Sequence, residues 1–223
     1  MECLNKEYLE FLGQMVKRRT GKVTPRARHP EKWKKVVPYH KEGGSFLDLN
    51  DFKGDIWIWS DHHFFHKNVI THCSRPFLDN DKMHDYFHEV YKETVKSGDI
   101  CIWAGDITFS GTAVFNNEIM PQFSLTYNIQ CQGNHDFNKK NIRPLDMDER
   151  HLILQFKFEG VDIVVSHYPF DFVHEHVLNF HGHTHQYDTD LDYQVNISVD
   201  AIGFKPVSLR SLINKNKHLV NVV

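Results

Sequence analysis

Short apolar runs that stop abruptly at polar residues set the rhythm of this chain. Ile56–Trp59 ends at Ser60-Asp61, residues 100–104 end at Gly105-Asp106, and residues 125–131 lead to Gly133-Asn134. Each reads as a buried strand feeding a loop. Between them, residues 81–96 set Met83, Phe87, Val90, Tyr91 and Val95 at helical spacing before Ser97-Gly98 stops the pattern, and residues 112–120 predict a second helix. Beyond Arg150 the texture turns strand-rich. Residues 151–158 and 161–166 pair across Glu159-Gly160, and further strands fall near 177–180 and 193–199. Strands alternating with helices and then running together predict a layered α/β fold, with sheets packed between helices, rather than one doubly wound sheet.

Residues 1–53 break this rhythm. After a short amphipathic stretch near residues 8–16 they are punctuated by Pro25, Pro30, Pro38 and Gly43-Gly44, so they read as an N-terminal extension to a domain over residues 54–223. The net charge of -3 gives no global pull toward nucleic acid, yet residues 1–45 hold 11 Lys or Arg against 5 Asp or Glu, which leaves the remainder at -9. Lys17-Arg18-Arg19, Arg26 and Arg28, with Trp33 and Tyr39 as stacking faces, make a nucleic-acid-binding arm one reading and a solvated arm the other.

No window has the roughly 20 apolar residues of a membrane span, so no membrane association is expected. The start shows no secretory pattern. The four cysteines, Cys3, Cys73, Cys101 and Cys131, show no C-x-x-C spacing, so a reduced, cytoplasmic setting is the expectation. Trp57, Trp59 and Trp103 are assigned to core packing.

The chemistry lies where the strands end. Asp61-His62-His63, Gly105-Asp106, Gly133-Asn134-His135-Asp136, Ser166-His167 and Gly182-His183-Thr184-His185 each follow a predicted strand. Strand carboxyl ends in layered α/β folds share one edge, so groups far apart in sequence can meet there. Oxygen and imidazole donors without thiolate suit Mn²⁺, Fe²⁺ or Zn²⁺. Seven such groups (Asp61, His63, Asp106, Asn134, His167, His183 and His185) exceed the needs of one ion and match two ions sharing a carboxylate, an arrangement suited to phosphoryl hydrolysis. Gly105, Gly133 and Gly182 stand where a Cβ would obstruct the turn.

These five blocks, D-x-H, G-D, G-N-H-D, H and G-H-x-H in that order, resemble the calcineurin-like metallophosphoesterases over roughly residues 55–207. The resemblance implies a β-sandwich flanked by helices. It also implies a phosphate mono- or diester hydrolysed by in-line attack of a metal-bridging hydroxide, with two divalent ions, manganese foremost and iron, zinc or nickel as alternatives. Asp61, His63 and His185 would ligate one ion, Asn134, His167 and His183 the other, and Asp106 would bridge. His135 would act as the catalytic group beside the scissile phosphate. Many members carry G-D-x-x-D, whose second carboxylate orients that histidine. Here Ile107, Thr108 and Phe109 follow Asp106, which leaves Asp136 as the substitute.

The run Asp61 to Ile70 with Arg75-Pro76-Phe77 is similar to a small bacterial and phage branch of the family, which implies substrate contacts from His66, Asn68 and Arg75, with His62 a weaker candidate. The remaining histidines, including His84, His151 and His181, gain no support from the motifs, and most are assigned to surfaces. Two rivals stay open: a nuclease or end-processing phosphatase acting on nucleotide or nucleic acid through the basic arm, and a non-catalytic scaffold of the same fold.

Overall fold

The computed structural model describes residues 45–46, 49, 52–136, 145–170, 177–189 and 191–219. The basic residues and aromatics proposed for a nucleic-acid arm lie outside these residues, as does the amphipathic stretch near residues 8–16.

Two mixed five-stranded sheets make up the frame. The first holds β2 (Ile56–Trp59), β3 (Ile100–Trp103), β4 (Tyr127–Cys131) and β5 (Glu149–His151) in parallel, with β10 (Val207–Ser208) antiparallel beside β2. The second runs β1 (Ser45–Phe46), β6 (Ile153–Phe158), β7 (Val161–Ser166), β8 (Val177–His181) and β9 (Gln194–Asn196), with β6 and β7 as the antiparallel pair and the other neighbours parallel. The fold is α/β and layered, as expected.

Alternation along the strands decides the layers. Ile56, Ile58, Ile100, Ile102, Ile129 and Cys131 from one sheet meet Leu154, Phe156, Ile163, Val165, Leu178 and Phe180 from the other in a single buried cluster. The opposite face of the first sheet carries Trp59, Cys101 and Trp103, which pack under helix α2 (Asn80–Thr94) through Met83, Phe87, Val90 and Tyr91. Asp79 caps α2 by accepting the Lys82 N–H at 2.9 Å, a contact of about 1 kcal/mol. Trp59 and Trp103 are fully buried and Trp57 partly so, as core packing requires.

Several expectations are corrected. The boundary at residue 53 is too late, because Ser45–Phe46 pairs with β6, and Leu49 and Phe52 pack on the core. The helix expected over residues 112–120 is a single turn, α3 (Thr112–Val114), continuing as a π-turn at Phe115–Ile119 and a 3₁₀ turn at Met120–Phe123. His151 and His181 are buried rather than on the surface. Three helices were not foreseen: α1 (Lys67–His72), α4 (Val199–Ile202) and α5 (Leu209–Asn216).

The two sheets are joined at the carboxyl ends of their parallel strands. Ser60, just after β2, bridges in parallel to Ser198, two residues past β9, and accepts the Val199 N–H at 2.9 Å. All five loops that carry the predicted ligands therefore leave from one edge.

Candidate metal centre

The loops after β2 and β3 stay in register beyond the strands. Asp61 N–H donates to Gly105 O, His63 N–H to Asp106 O, Phe64 N–H to Ile107 O and Phe109 N–H to Phe64 O, all at 2.9 to 3.0 Å. This ladder holds Asp61, His63 and Asp106 side by side. Of nine non-glycine residues with positive φ among the described residues, five are predicted ligands: Asp61, His63, Asp106, His183 and His185. Left-handed backbone is costly for such residues, and its concentration here marks loops shaped for side-chain placement rather than for local comfort.

Six of the seven predicted ligands fall into two groups. Ligand atoms of Asp61, His63 and His185 lie within 4.8 Å of one another, as do those of Asp106, His167 and His183. One oxygen, Asp106 Oδ2, joins them: it is 3.7 Å from His63 Nε2 in the first group and 3.3 Å from His167 Nε2 in the second. Asn134, the seventh, places Oδ1 at 3.2 Å from His167 Nε2, and the Tyr168 hydroxyl donates to the same oxygen at 3.0 Å.

Neighbouring groups set which imidazole nitrogen faces the cluster. His167 Nδ1 lies 3.0 Å from Ala104 O and His185 Nδ1 2.7 Å from Asp200 Oδ2. Both partners can only accept, so each Nδ1 carries a hydrogen and Nε2 is the nitrogen that can offer a lone pair to the cluster once its own proton is displaced. Asp61, fully buried, accepts the His183 N–H on both oxygens at 3.0 and 3.1 Å and the Ser198 hydroxyl at 2.8 Å. Two glycines let these groups approach. A Cβ on Gly133 would stand 2.2 Å from Asp106 Oδ1, and one on Gly182 would stand 2.3 Å from Asp61 Oδ2.

His63 Nε2 tests whether this donor set fits a cation. It is buried without a hydrogen-bond partner among the described residues, although Asp61 Oδ1 and Asp106 Oδ2 stand 3.9 and 3.7 Å away. A buried imidazole nitrogen too far from two carboxylates to bond them, yet aimed between them, is what a shared divalent ion would satisfy.

The electrostatics agree with a site crowded by opposite charges. Burial opposes ionisation of Asp106, but the charge and hydrogen bond of His167, with the charges of His63 and His135, hold its carboxyl well below the usual range. Burial also disfavours charge on His167 and His185. Asp106 nevertheless raises His167 to about 9, and hydrogen bonds to Asp200 and Cys73 raise His185 to about 10. His63 is lowered to about 3, chiefly by burial against the opposing pull of Asp106 and Asp61.

The remaining predicted residues divide. His135 sits at the rim, its side chain 36% exposed, with Nε2 3.8 Å from Asp106 Oδ2 and its backbone N–H donating to Asp106 Oδ1 at 2.8 Å. Asp136 takes a different role from the one expected. Its oxygens accept the backbone N–H groups of Asp106, Ile107 and Gly133 at 2.8 to 3.0 Å, stapling the loops after β3 and β4 together. Burial and the Asp106 charge push its carboxyl up to about 7, against those amide donors.

His66 is half-buried beside the cluster, its Nδ1 3.2 Å from His63 Nδ1, and Asn68 is exposed on α1. Arg75 departs from expectation: its side chain is fully buried and bonded to Asp200 and to the carbonyls of Asp61 and His62, so its fork is not available to a phosphate. His62, also fully buried, is wedged among Trp59, Phe64, Phe87 and Trp103. A surface groove between Pro76, Phe77, Tyr86 and Phe204 contains none of the predicted site residues.

Asp200 was missed. Its only sequence signal was an acidic residue directly after the strand expected over residues 193–199, and its partner Arg75 lies 125 positions away.

No family model matches the chain. An uncharacterized protein of Methanocaldococcus jannaschii, MJ1445, is 27% identical over 177 residues, spanning 73% of this chain and 93% of that one. The crystal structure of a protein of unknown function from Aquifex aeolicus, AQ665, is similar with a TM-score of 0.59 at 23% identity, covering 73% of this chain and 100% of that one. The fold is therefore shared with a solved structure. Among the described residues of this chain, no helix is long and apolar enough to cross a membrane.

Proposed function

We propose that this protein is a dinuclear-metal phosphoesterase. The observation that carries the reading is the position of Asp106 Oδ2 between His63 Nε2 at 3.7 Å and His167 Nε2 at 3.3 Å, one oxygen serving two separate ligand groups. Asp61, His63 and His185 would hold one ion, Asn134, His167 and His183 the other, and Asp106 both. The donors are nitrogen and oxygen, which suits manganese and leaves iron, zinc or nickel as alternatives. When bound, a pair of divalent cations supplies charge neutralisation on a phosphate and a nucleophile at neutral pH.

The chain's own groups do the rest. Ala104 O and Asp200 hold the Nδ1 hydrogens of His167 and His185, so that in each ring Nε2 is the nitrogen that would give up its proton to a cation. Ser198 and the His183 amide hold the Asp61 side chain in place. His135, at the rim and tethered through its amide to Asp106, is placed to hand a proton to the departing oxygen. Soluble aryl phosphates test the reading. Protein stripped with EDTA should not hydrolyse p-nitrophenyl phosphate or bis(p-nitrophenyl) phosphate, and manganese should restore turnover with two ions bound per chain. Turnover that survives complete chelation would refute it.

A further inference from the structure

Four aromatic rings close a circuit at the rim of the site. His63 and His66 have centroids 5.2 Å apart, His66 and Phe109 4.1 Å, Phe109 and His135 5.2 Å, and His135 and His63 5.1 Å. Phe109 is the anomaly in this polar setting. It is 44% exposed although the preceding Ile107 and Thr108 are buried, and among the described residues it is the exposed large hydrophobic side chain that stacks on His66 and meets the His135 ring at a tilt.

Its position is fixed rather than loose. The Phe109 N–H donates to Phe64 O at 2.9 Å, Thr108 bridges to Phe64, and His66 lies nearly parallel to the phenyl ring at 11°. A rigid, half-exposed aromatic face held beside charged groups loses little freedom when a planar group stacks on it.

Resting on the phosphoesterase reading, we propose that Phe109, backed by His66, is the stacking platform for a nucleobase, so that the substrate is a nucleotide phosphate ester. The spacing favours this class. His135 lies against both, its Nε2 3.8 Å from Asp106 Oδ2 and its ring centroid 5.2 Å from that of Phe109, so a phosphate at the centre and a base on Phe109 would be neighbours, whereas an ester with no group beyond a short alkyl chain would leave the phenyl face in water. The platform is sequence-tolerant, because every base offers a π-face. Phe109 thus selects for the presence of a base and not for its identity.

Calorimetry on manganese-loaded protein tests this with inorganic phosphate and the non-hydrolysable phosphonate analogues of ribose 5-phosphate and adenosine 5′-phosphate. The adenosine analogue should bind tighter than the ribose analogue, by about 5- to 100-fold for one stacked base. F109L should erase that advantage while leaving phosphate and the ribose analogue unchanged, and F109W should keep it. An adenosine analogue no tighter than the ribose analogue, or an advantage that survives F109L, would overturn the platform while the phosphate-binding centre stood. Wild-type protein that bound none of the three would remove the phosphoesterase reading and the platform with it.

Discussion

The guanidinium of Arg75 grips the carboxylate of Asp200 with two parallel bonds of 2.8 Å, Nε to Oδ1 and Nη2 to Oδ2. The same guanidinium donates to His62 O at 2.9 Å and Asp61 O at 2.6 Å, and the same carboxylate receives His185 Nδ1 at 2.7 Å. One buried pair therefore ties two ligands of the first group to each other, Asp61 through its backbone and His185 through its ring. Truncating Arg75 leaves buried Asp200 with His185 alone against it and two carbonyls without their donor, a loss of up to about 3–5 kcal/mol. R75A should therefore lower the unfolding midpoint sharply. D200N, which keeps the shape and weakens the acceptor, should fold and bind the first-group ion about 10- to 100-fold more weakly. Metal titration followed by cobalt absorption reads that change, and unaltered affinity in D200N would show that the pair has no part in positioning His185.

A methyl group at Gly182 has nowhere to go. It would meet Ser60 Oγ at 2.1 Å and Asp61 Oδ2 at 2.3 Å, so the carboxylate must swing away from its place. G182A should bind one ion fewer than wild type and lose turnover. Gly111 provides the control, since an added Cβ there meets nothing within 4 Å. G111A should keep both metal content and rate, and equal metal content in the two variants would contradict the close approach assigned to Gly182.

The strand ends were legible because apolar runs such as Ile56–Trp59 and Val161–Ser166 stop just before the predicted ligands, and helix α2 was legible from its spaced Met83, Phe87, Val90 and Tyr91. The stretch from Thr112 to Phe123 was not, because a π-turn and a 3₁₀ turn follow the first α-turn and Pro121 sits at the second. Helix α5 carried a readable signal in the Ser208 cap and in Leu209, Leu212 and Ile213 at helical spacing. Arg75 was misread for a physical reason: a fork suits a phosphate or a buried carboxylate equally, and only the fold brings Asp200 to it. Two-residue strands such as Ser45–Phe46 have no periodicity to detect.

Proton and metal compete for the same nitrogens. In metal-free protein Asp106 raises His167 to about 9, and Asp200 and Cys73 raise His185 to about 10, both against the opposing effect of burial. An unfolded histidine titrates near 6.5. Raised folded values mean that the stabilisation from these two imidazolium–carboxylate contacts is complete below about pH 6.5 and fades as pH climbs through 9 and 10. The unfolding midpoint of metal-free protein should fall by several degrees between pH 7.5 and 9.5. Over the same window metal affinity should rise, because binding must displace those protons. Differential scanning calorimetry with and without manganese gives both slopes, and a metal-free midpoint that climbs with pH would reverse the assigned proton positions.

His135 should matter in proportion to the difficulty of the leaving group. Its ring stands outside the two groups joined by Asp106, although its ligand atom lies within 4.8 Å of those of His63 and Asp106, and its backbone N–H on Asp106 Oδ1 survives a side-chain substitution. H135A should therefore keep two ions per chain and an unchanged unfolding midpoint. If the imidazole supplies a proton to the departing oxygen, its loss should slow alkyl phosphate hydrolysis by about 10²- to 10⁴-fold, while nitrophenolate, a leaving group that needs no proton, departs at nearly the wild-type rate. Comparing kcat for a series of esters of graded leaving-group acidity measures this directly. A uniform drop across the series would place His135 in substrate positioning instead, since a group that only holds the phosphate is indifferent to what leaves.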